Sequence, residues 1–159
     1  MRMKRYFSIA FLFLLSCVDN TPRFTIPFAP VNFTIDLNAY DHSLREGMSY
    51  KIFTDPRLST DRLGYAGLLA VTDVTGSNVF VYDLCCPYED NRNIRIIPRG
   101  DGKAECPGCN SVFVTIYGQS GLGFGTPEKG PSEEPLQSYQ VYSSRPGVYE
   151  VVNSAGKNK

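Results

Sequence analysis

The chain has 159 residues, 42% of them hydrophobic, which is enough for one domain with a sizeable core. Its sixteen Lys and Arg residues balance its sixteen Asp and Glu residues, and this balance argues against the basic surface of a nucleic-acid-binding protein. Five cysteines and a single histidine make cysteine the main candidate metal ligand.

The first seventeen residues have the pattern of an exported bacterial lipoprotein. Arg2, Lys4 and Arg5 form a basic start. The apolar run over residues 7–15 is too short to span a bilayer, which takes about 20 apolar residues. The run leads into Leu-Leu-Ser-Cys at 14–17, which resembles the lipobox of bacterial lipoproteins.

This resemblance implies a signal peptide over residues 1–16 and a lipidated Cys17 as the new N-terminus. Acyl chains contribute about 0.8 kcal/mol for each buried CH₂ group, so the implied anchor would hold the protein to the lipid bilayer. Val18 stands where an Asp would signal retention in the inner membrane, so we expect the outer membrane, with the domain facing the periplasm or the cell surface. An ordinary secretory signal with a chance cysteine is the alternative.

The mature chain begins with a tether over residues 17–30, the last ten residues of which include three prolines. Removal of the three basic residues of the leader gives the mature chain a net charge of −3, and we expect no nucleic-acid partner. Apart from Cys17, four cysteines remain. An even number in an exported protein permits disulfides.

From residue 31 onward the sequence predicts an all-β domain, because short segments alternate apolar and polar residues and are separated by turn signals. The predicted strands are VNFTIDL (31–37), SYKIFT (49–54), GLLAVTDV (67–74), NVFVYDL (78–84), IRII (94–97), SVFVTIY (111–117), LQSYQVYSS (136–144) and GVYEVVN (147–153). Hairpin turns are expected at 73–78 and 99–103. Residues 118–130 are expected to form a glycine-rich loop, and 37–44 a turn of helix.

The four remaining cysteines lie on two loops that follow predicted strands. The motif Cys106-Pro107-Gly108-Cys109 follows a β-turn and precedes a strand, which predicts a knuckle whose backbone N–H groups face the first sulfur. Asn110 tolerates the left-handed φ that such a knuckle needs. A thioredoxin-like motif would need a helix here. Cys85 and Cys86 lie on the other loop, and we expect the two loops to clamp one metal.

The two loops resemble those of the Rieske iron–sulfur domain, which read Cys-x-His and Cys-x-x-His-Gly-Ser-x-Phe/Tyr. The matching segments are DLCCPY at 83–88 and CPGCNSVF at 106–113, and GPSEEPL at 130–136 resembles the family's Gly-Pro-Ala-x-x-Pro-Leu. The resemblance implies a domain over residues 31–145, with small antiparallel sheets as a base and a cysteine-loop subdomain at about 84–136. A C-terminal strand and tail would follow at 146–159.

Both histidine ligands of that family are replaced. Tyr88 stands at the position of the first and Cys109 at that of the second, whereas a Rieske centre needs two imidazoles on one of its irons. His42 is far upstream and is expected to be solvated.

Three interpretations of the cysteines stay open. In the first, Cys86, Cys106 and Cys109 bind zinc or an iron–sulfur cluster, with Cys85 or Tyr88 as the fourth ligand. In the second, the cysteines pair as disulfides and the protein is a binding or structural lipoprotein without a cofactor. In the third, a genuine 2Fe–2S electron-transfer cluster forms with unusual ligands. No acid–base pair predicts an enzyme, and no protein or redox partner is indicated.

Overall fold

A computed structural model of the chain describes residues 26–116 and 123–153. The predicted signal peptide, Cys17 and the last six residues lie outside this part. Within it are eleven strands and one 3₁₀ helix, His42–Arg45, so the prediction of an all-β fold is confirmed. The strands are β1 (Val31–Asp36), β2 (Tyr50–Phe53), β3 (Arg62–Leu63), β4 (Leu68–Thr72), β5 (Val79–Asp83), β6 (Ile97–Pro98), β7 (Lys103–Glu105), β8 (Val112–Val114), β9 (Thr126–Lys129), β10 (Ser138–Arg145) and β11 (Val148–Val152).

The strands form two antiparallel sheets. The larger sheet has the order β2-β4-β5-β10-β11-β1-β3, and the smaller has the order β6-β7-β8-β9. The C-terminal strand β11 lies between β10 and β1, with Val151 opposite Phe33. In the part of the chain that the structure describes, no helix is long and apolar enough to cross a membrane.

The β4–β5 hairpin separates two hydrophobic cores, because successive side chains of a strand point to opposite faces. Leu68 and Ala70 pack in the core of the larger sheet with Phe33. Leu69 and Val71 pack on the other face, in the core that contains the cysteine loops. Burial of both faces explains why the first four residues of β4 are all apolar instead of alternating.

Several local predictions are confirmed. The hairpin at 99–103 forms, with Arg99 N–H donating to Lys103 O at 2.9 Å. The strands predicted at 136–144 and 147–153 are β10 and β11, which pair with each other. The helical turn expected near 37–44 is the 3₁₀ helix at His42–Arg45.

The prediction of a loop throughout residues 118–130 was wrong for its last part. Thr126–Lys129 forms β9, which pairs with β8 at the edge of the smaller sheet. Pro127, which lacks an N–H group and disfavours a central strand, is tolerated on an edge strand. The two-residue strand β3 was also missed, because so short a segment carries no periodicity.

Candidate metal centre

Three cysteine sulfurs converge where the two cysteine loops meet. The Sγ atoms of Cys86, Cys106 and Cys109 all lie within 4.8 Å of one another. Cys86 lies on the loop from β5 to β6, and its Sγ is 3.7 Å from the Sγ of Cys109. Among the described residues, these three are the one group of three or more His, Cys, Asp or Glu ligand atoms at such separations.

The two loops share one backbone design. Asp90 N–H donates to Cys86 O at 3.0 Å, and Asn110 N–H donates to Cys106 O at 2.9 Å. Both donors have left-handed φ, 44° at Asp90 and 59° at Asn110. The prediction for Asn110 is therefore confirmed. Its counterpart Asp90 was missed, although both loops carry the sequence pattern Cys-Pro-x-x-Asp/Asn.

Backbone N–H groups face the sulfurs of Cys86 and Cys106, as predicted for the Cys106 loop. Burial raises the pKa of the Cys86 and Cys106 thiols above the usual value. The N–H groups two and three residues further along each loop act in the opposite direction, because they stabilise the thiolate. Buried thiols of this kind are deprotonated when a metal ion binds and supplies a compensating positive charge.

Of the three cysteines, Cys109 alone has a thiol pKa below the usual value. Burial raises the pKa of its thiol, but hydrogen bonds from the Ser111 side chain and N–H and from the other two sulfurs outweigh burial and lower it. Cys109 Sγ and Ser111 Oγ are 3.1 Å apart, and the hydroxyl donates once the thiolate has formed. Ser111 Oγ in turn accepts the N–H of Ser132 at 3.0 Å.

The covering segment, residues 130–136, packs against the cysteine loops. Gly130 has φ 92°, and a Cβ there would lie 2.5 Å from Ser111 Cα, so only glycine fits. Residues 131–134 line a shallow cleft together with Pro87 and Tyr88. Tyr88 is 57% exposed on the outer side of the first loop.

The structure does not bring Cys85 into the group of sulfurs. Its side chain is fully buried, and its Sγ lies 3.5 Å from Cys86 O. Burial, with a smaller contribution from the charge of Asp83, raises the pKa of the Cys85 thiol to about 12. Cys85 forms an isolated antiparallel bridge with Arg95, and its sulfur lies outside the group that contains the Cys86 sulfur.

His42 is exposed on the 3₁₀ helix, where its Nδ1 lies 3.5 Å from Ala39 O. It is not part of the sulfur group.

Asp83 anchors the first cysteine loop to the larger sheet. Its fully buried carboxylate accepts hydrogen bonds from Cys85 N–H at 2.8 Å and from the Tyr139 hydroxyl at 2.7 Å. It also accepts the N–H groups of Tyr65 and Ala66 at 2.8 and 3.1 Å. Burial raises the pKa of Asp83, although these bonds favour its ionised form. One side chain thus fixes the loop, the strand β10 and the segment before β4.

The chain matches no family model, no curated protein and no solved structure. The resemblance to Rieske domains therefore depends on the loop motifs of this sequence. The chemistry of the site depends on the three sulfurs themselves, which are free thiols in this structure. Three thiolates at this spacing suit a soft or borderline metal ion such as zinc.

Proposed function

We propose that this protein is a membrane-anchored lipoprotein whose Rieske-like domain binds one metal ion through Cys86, Cys106 and Cys109. Zinc is proposed in preference to iron. The spacing of the sulfurs carries the proposal. On a tetrahedral ion with metal–sulfur bonds of about 2.3 Å, two sulfurs lie about 3.8 Å apart. The Sγ atoms of Cys86 and Cys109 are 3.7 Å apart.

The same spacing favours a single ion over a diiron cluster. In a Rieske arrangement the residue at the position of Cys109 would bind the second iron. Bridging sulfides between two irons would hold that ligand away from the first pair of cysteines. Here Cys109 Sγ lies within 4.8 Å of both other sulfurs, as ligands of one ion do.

The role of the ion is structural in this proposal. The first loop joins the two sheets, and the second connects two strands of the smaller sheet. An ion bound to both would fix the loops relative to each other. Structural zinc contributes about 10–16 kcal/mol of apparent binding free energy in small zinc-binding peptides. The lipid bilayer is the proposed partner, through Cys17, and the domain is not proposed to be an enzyme.

A disulfide between Cys86 and Cys109 is the second candidate, and the same distance supports it. Their sulfurs need to approach from 3.7 Å to about 2.05 Å, and an exported location permits oxidation. The domain would then be a scaffold without a cofactor.

Metal analysis combined with thiol titration separates the candidates. The mature domain, with Cys17 replaced by Ser to leave four thiols, is purified without added metal and titrated before and after denaturation with a chelator. We expect about one zinc per chain and four thiols that react fully only after chelation. Two missing thiols without metal would support the disulfide. Four free thiols after denaturation, without bound metal in the purified domain, would overturn both candidates.

The lipid anchor is tested separately in a bacterial host. We expect the full chain to fractionate with membranes and the Cys17→Ala variant to lose acylation and, if processed, to appear in the soluble exported fraction. Equal membrane association and an unmodified N-terminal peptide in both would contradict the anchor.

A further inference from the structure

Glu89 occupies in the first loop the position that Cys109 occupies in the second. Glu89 is the third residue after Cys86, and Cys109 is the third residue after Cys106. Each precedes a residue with left-handed φ whose N–H closes the turn on that cysteine. Moreover, the N–H of Glu89 faces the Cys86 sulfur, and the N–H of Cys109 faces the Cys106 sulfur. Because the backbone is the same, the side chains of Glu89 and Cys109 start from equivalent places around the sulfurs.

The carboxylate of Glu89 already lies against the second loop. A Cβ at Gly108 would be only 2.8 Å from Glu89 Oε1, so the absence of a side chain at Gly108 leaves the space that the carboxylate occupies. The side chain of Glu89 is half-buried, and its oxygens are outside the group of ligand atoms within 4.8 Å of one another. A change in its side-chain torsion angles is therefore needed for it to reach an ion held by the three sulfurs.

We propose that Glu89 supplies the fourth ligand, which makes the centre a three-cysteine, one-glutamate site. This rests on the proposed metal site and names Glu89 as the fourth ligand in place of Cys85 or Tyr88. Zinc accepts a carboxylate oxygen at about 2.0–2.2 Å in a tetrahedral set. The four ligands are then two from each loop, at the first and fourth positions of each Cys-Pro-x-x-Asp/Asn pattern.

The proposal is tested with Co²⁺ and Zn²⁺ on the mature domain and its Glu89→Gln and Glu89→Cys variants. Glu133→Gln is the matched control, because Glu133 is exposed on the neighbouring covering segment. We expect Glu89→Gln to bind zinc at least about 10-fold more weakly and to change the visible spectrum of bound cobalt. Glu89→Cys should bind cobalt with about one third more sulfur-to-metal charge-transfer absorption, since the thiolates increase from three to four.

Circular dichroism of the metal-free variants checks that all of them keep the fold. Zinc affinity and a cobalt spectrum of Glu89→Gln that equal those of wild type, together with unchanged charge transfer in Glu89→Cys, would overturn the fourth ligand while the three-sulfur site stands. Failure of wild type to bind either metal would instead overturn the proposed function and this inference with it. An effect of Glu133→Gln as large as that of Glu89→Gln would also contradict the assignment, because it would point to a general loss of acidic charge.

Discussion

The sulfur of Cys86 lies 3.7 Å from the sulfur of Cys109, although the two residues belong to loops of different sequence segments. Asp83 fixes the start of the first loop through its bond to Cys85 N–H. Ser111 and the covering segment fix the end of the second. The close approach of the two sulfurs therefore follows from independent anchors on both sides.

The adjacent cysteines give a matched pair of substitutions. We expect Cys86→Ala to lower zinc affinity by at least about 100-fold, since loss of an outer-shell partner alone costs about 10–100-fold. Cys85→Ala should leave zinc affinity within a few-fold of the wild-type value, because the Cys85 sulfur is outside the group of three sulfurs. The same substitution should lower the stability of the fold, because buried packing is lost. Competition with a zinc-binding dye measures both. Equal losses in the two variants would contradict the placement of the sulfurs.

The Ser111 hydroxyl is expected to lower the pKa of Cys109 and to strengthen zinc binding. In Ser111→Ala the hydroxyl that stabilises the thiolate is lost, so the pKa of Cys109 rises and zinc affinity falls by about 10-fold. Alkylation of the metal-free domain near neutral pH should also slow at Cys109. Ser132→Ala is the control, because Ser132 contacts Ser111 through its backbone N–H. Unchanged affinity in Ser111→Ala would show that the bond does not act on the metal site.

The Tyr139 hydroxyl is expected to stabilise the fold through Asp83. Tyr139→Phe removes a hydrogen bond of 2.7 Å to a buried carboxylate, which should lower the free energy of unfolding by about 1.5–3 kcal/mol. Tyr142→Phe, which loses a bond to Gln140 on the exposed surface, should change it by less than about 0.5 kcal/mol. Urea unfolding compares the two variants. A loss in Tyr142→Phe as large as in Tyr139→Phe would contradict the anchoring role of Asp83.

Asp73 should make the β4–β5 turn sensitive to acid. Burial raises the pKa of Asp73, but hydrogen bonds from Asn78, Thr75 and Ser77 together outweigh burial and hold it at about 2, below the usual 3.8. The pKa of Asp73 is lower in the folded chain than in the unfolded chain. The stability that its carboxylate contributes is therefore fully present above pH 3.8 and is lost as the pH falls towards 2. After allowance for solvent screening, we expect the Asp73 carboxylate to contribute about 1 kcal/mol to the free energy of unfolding.

Urea unfolding of wild type and Asp73→Ala over this acidic range measures that contribution. The difference in unfolding free energy between the two should shrink as the pH falls. A difference that stays constant would mean that the carboxylate charge does not stabilise the turn.

Much of the fold was predictable because its signals are local. Alternation in β1 predicts one buried face, and Val31, Phe33 and Ile35 are indeed buried while Asn32 and Thr34 are exposed. The turns at 73–78 and 99–103 are set by Asp, Gly and Asn residues that favour them. The order of the strands in the larger sheet was not predictable, since pairings such as β5 with β10 join distant segments.

The candidate site was predictable only in part. The pattern Cys-x-x-Cys before a strand was enough to predict the knuckle and the conformation of Asn110. It did not distinguish Cys85 from Cys86, because that choice depends on which of the two side chains faces the second loop in the folded chain. Glu89, the proposed fourth ligand, was not among the predicted ligands because a lone acidic residue is usually solvated. The signal that would have found it is the repeated Cys-Pro-x-x-Asp/Asn pattern, whose fourth position is Glu89 in one loop and Cys109 in the other.

X-ray absorption at the edge of the bound metal tests the central claim most directly. For the purified mature domain we predict one metal with three sulfur neighbours at about 2.3 Å and one oxygen neighbour at about 2.0–2.2 Å, without a second metal nearby. A diiron core with nitrogen neighbours would contradict a single ion bound by Cys86, Cys106 and Cys109.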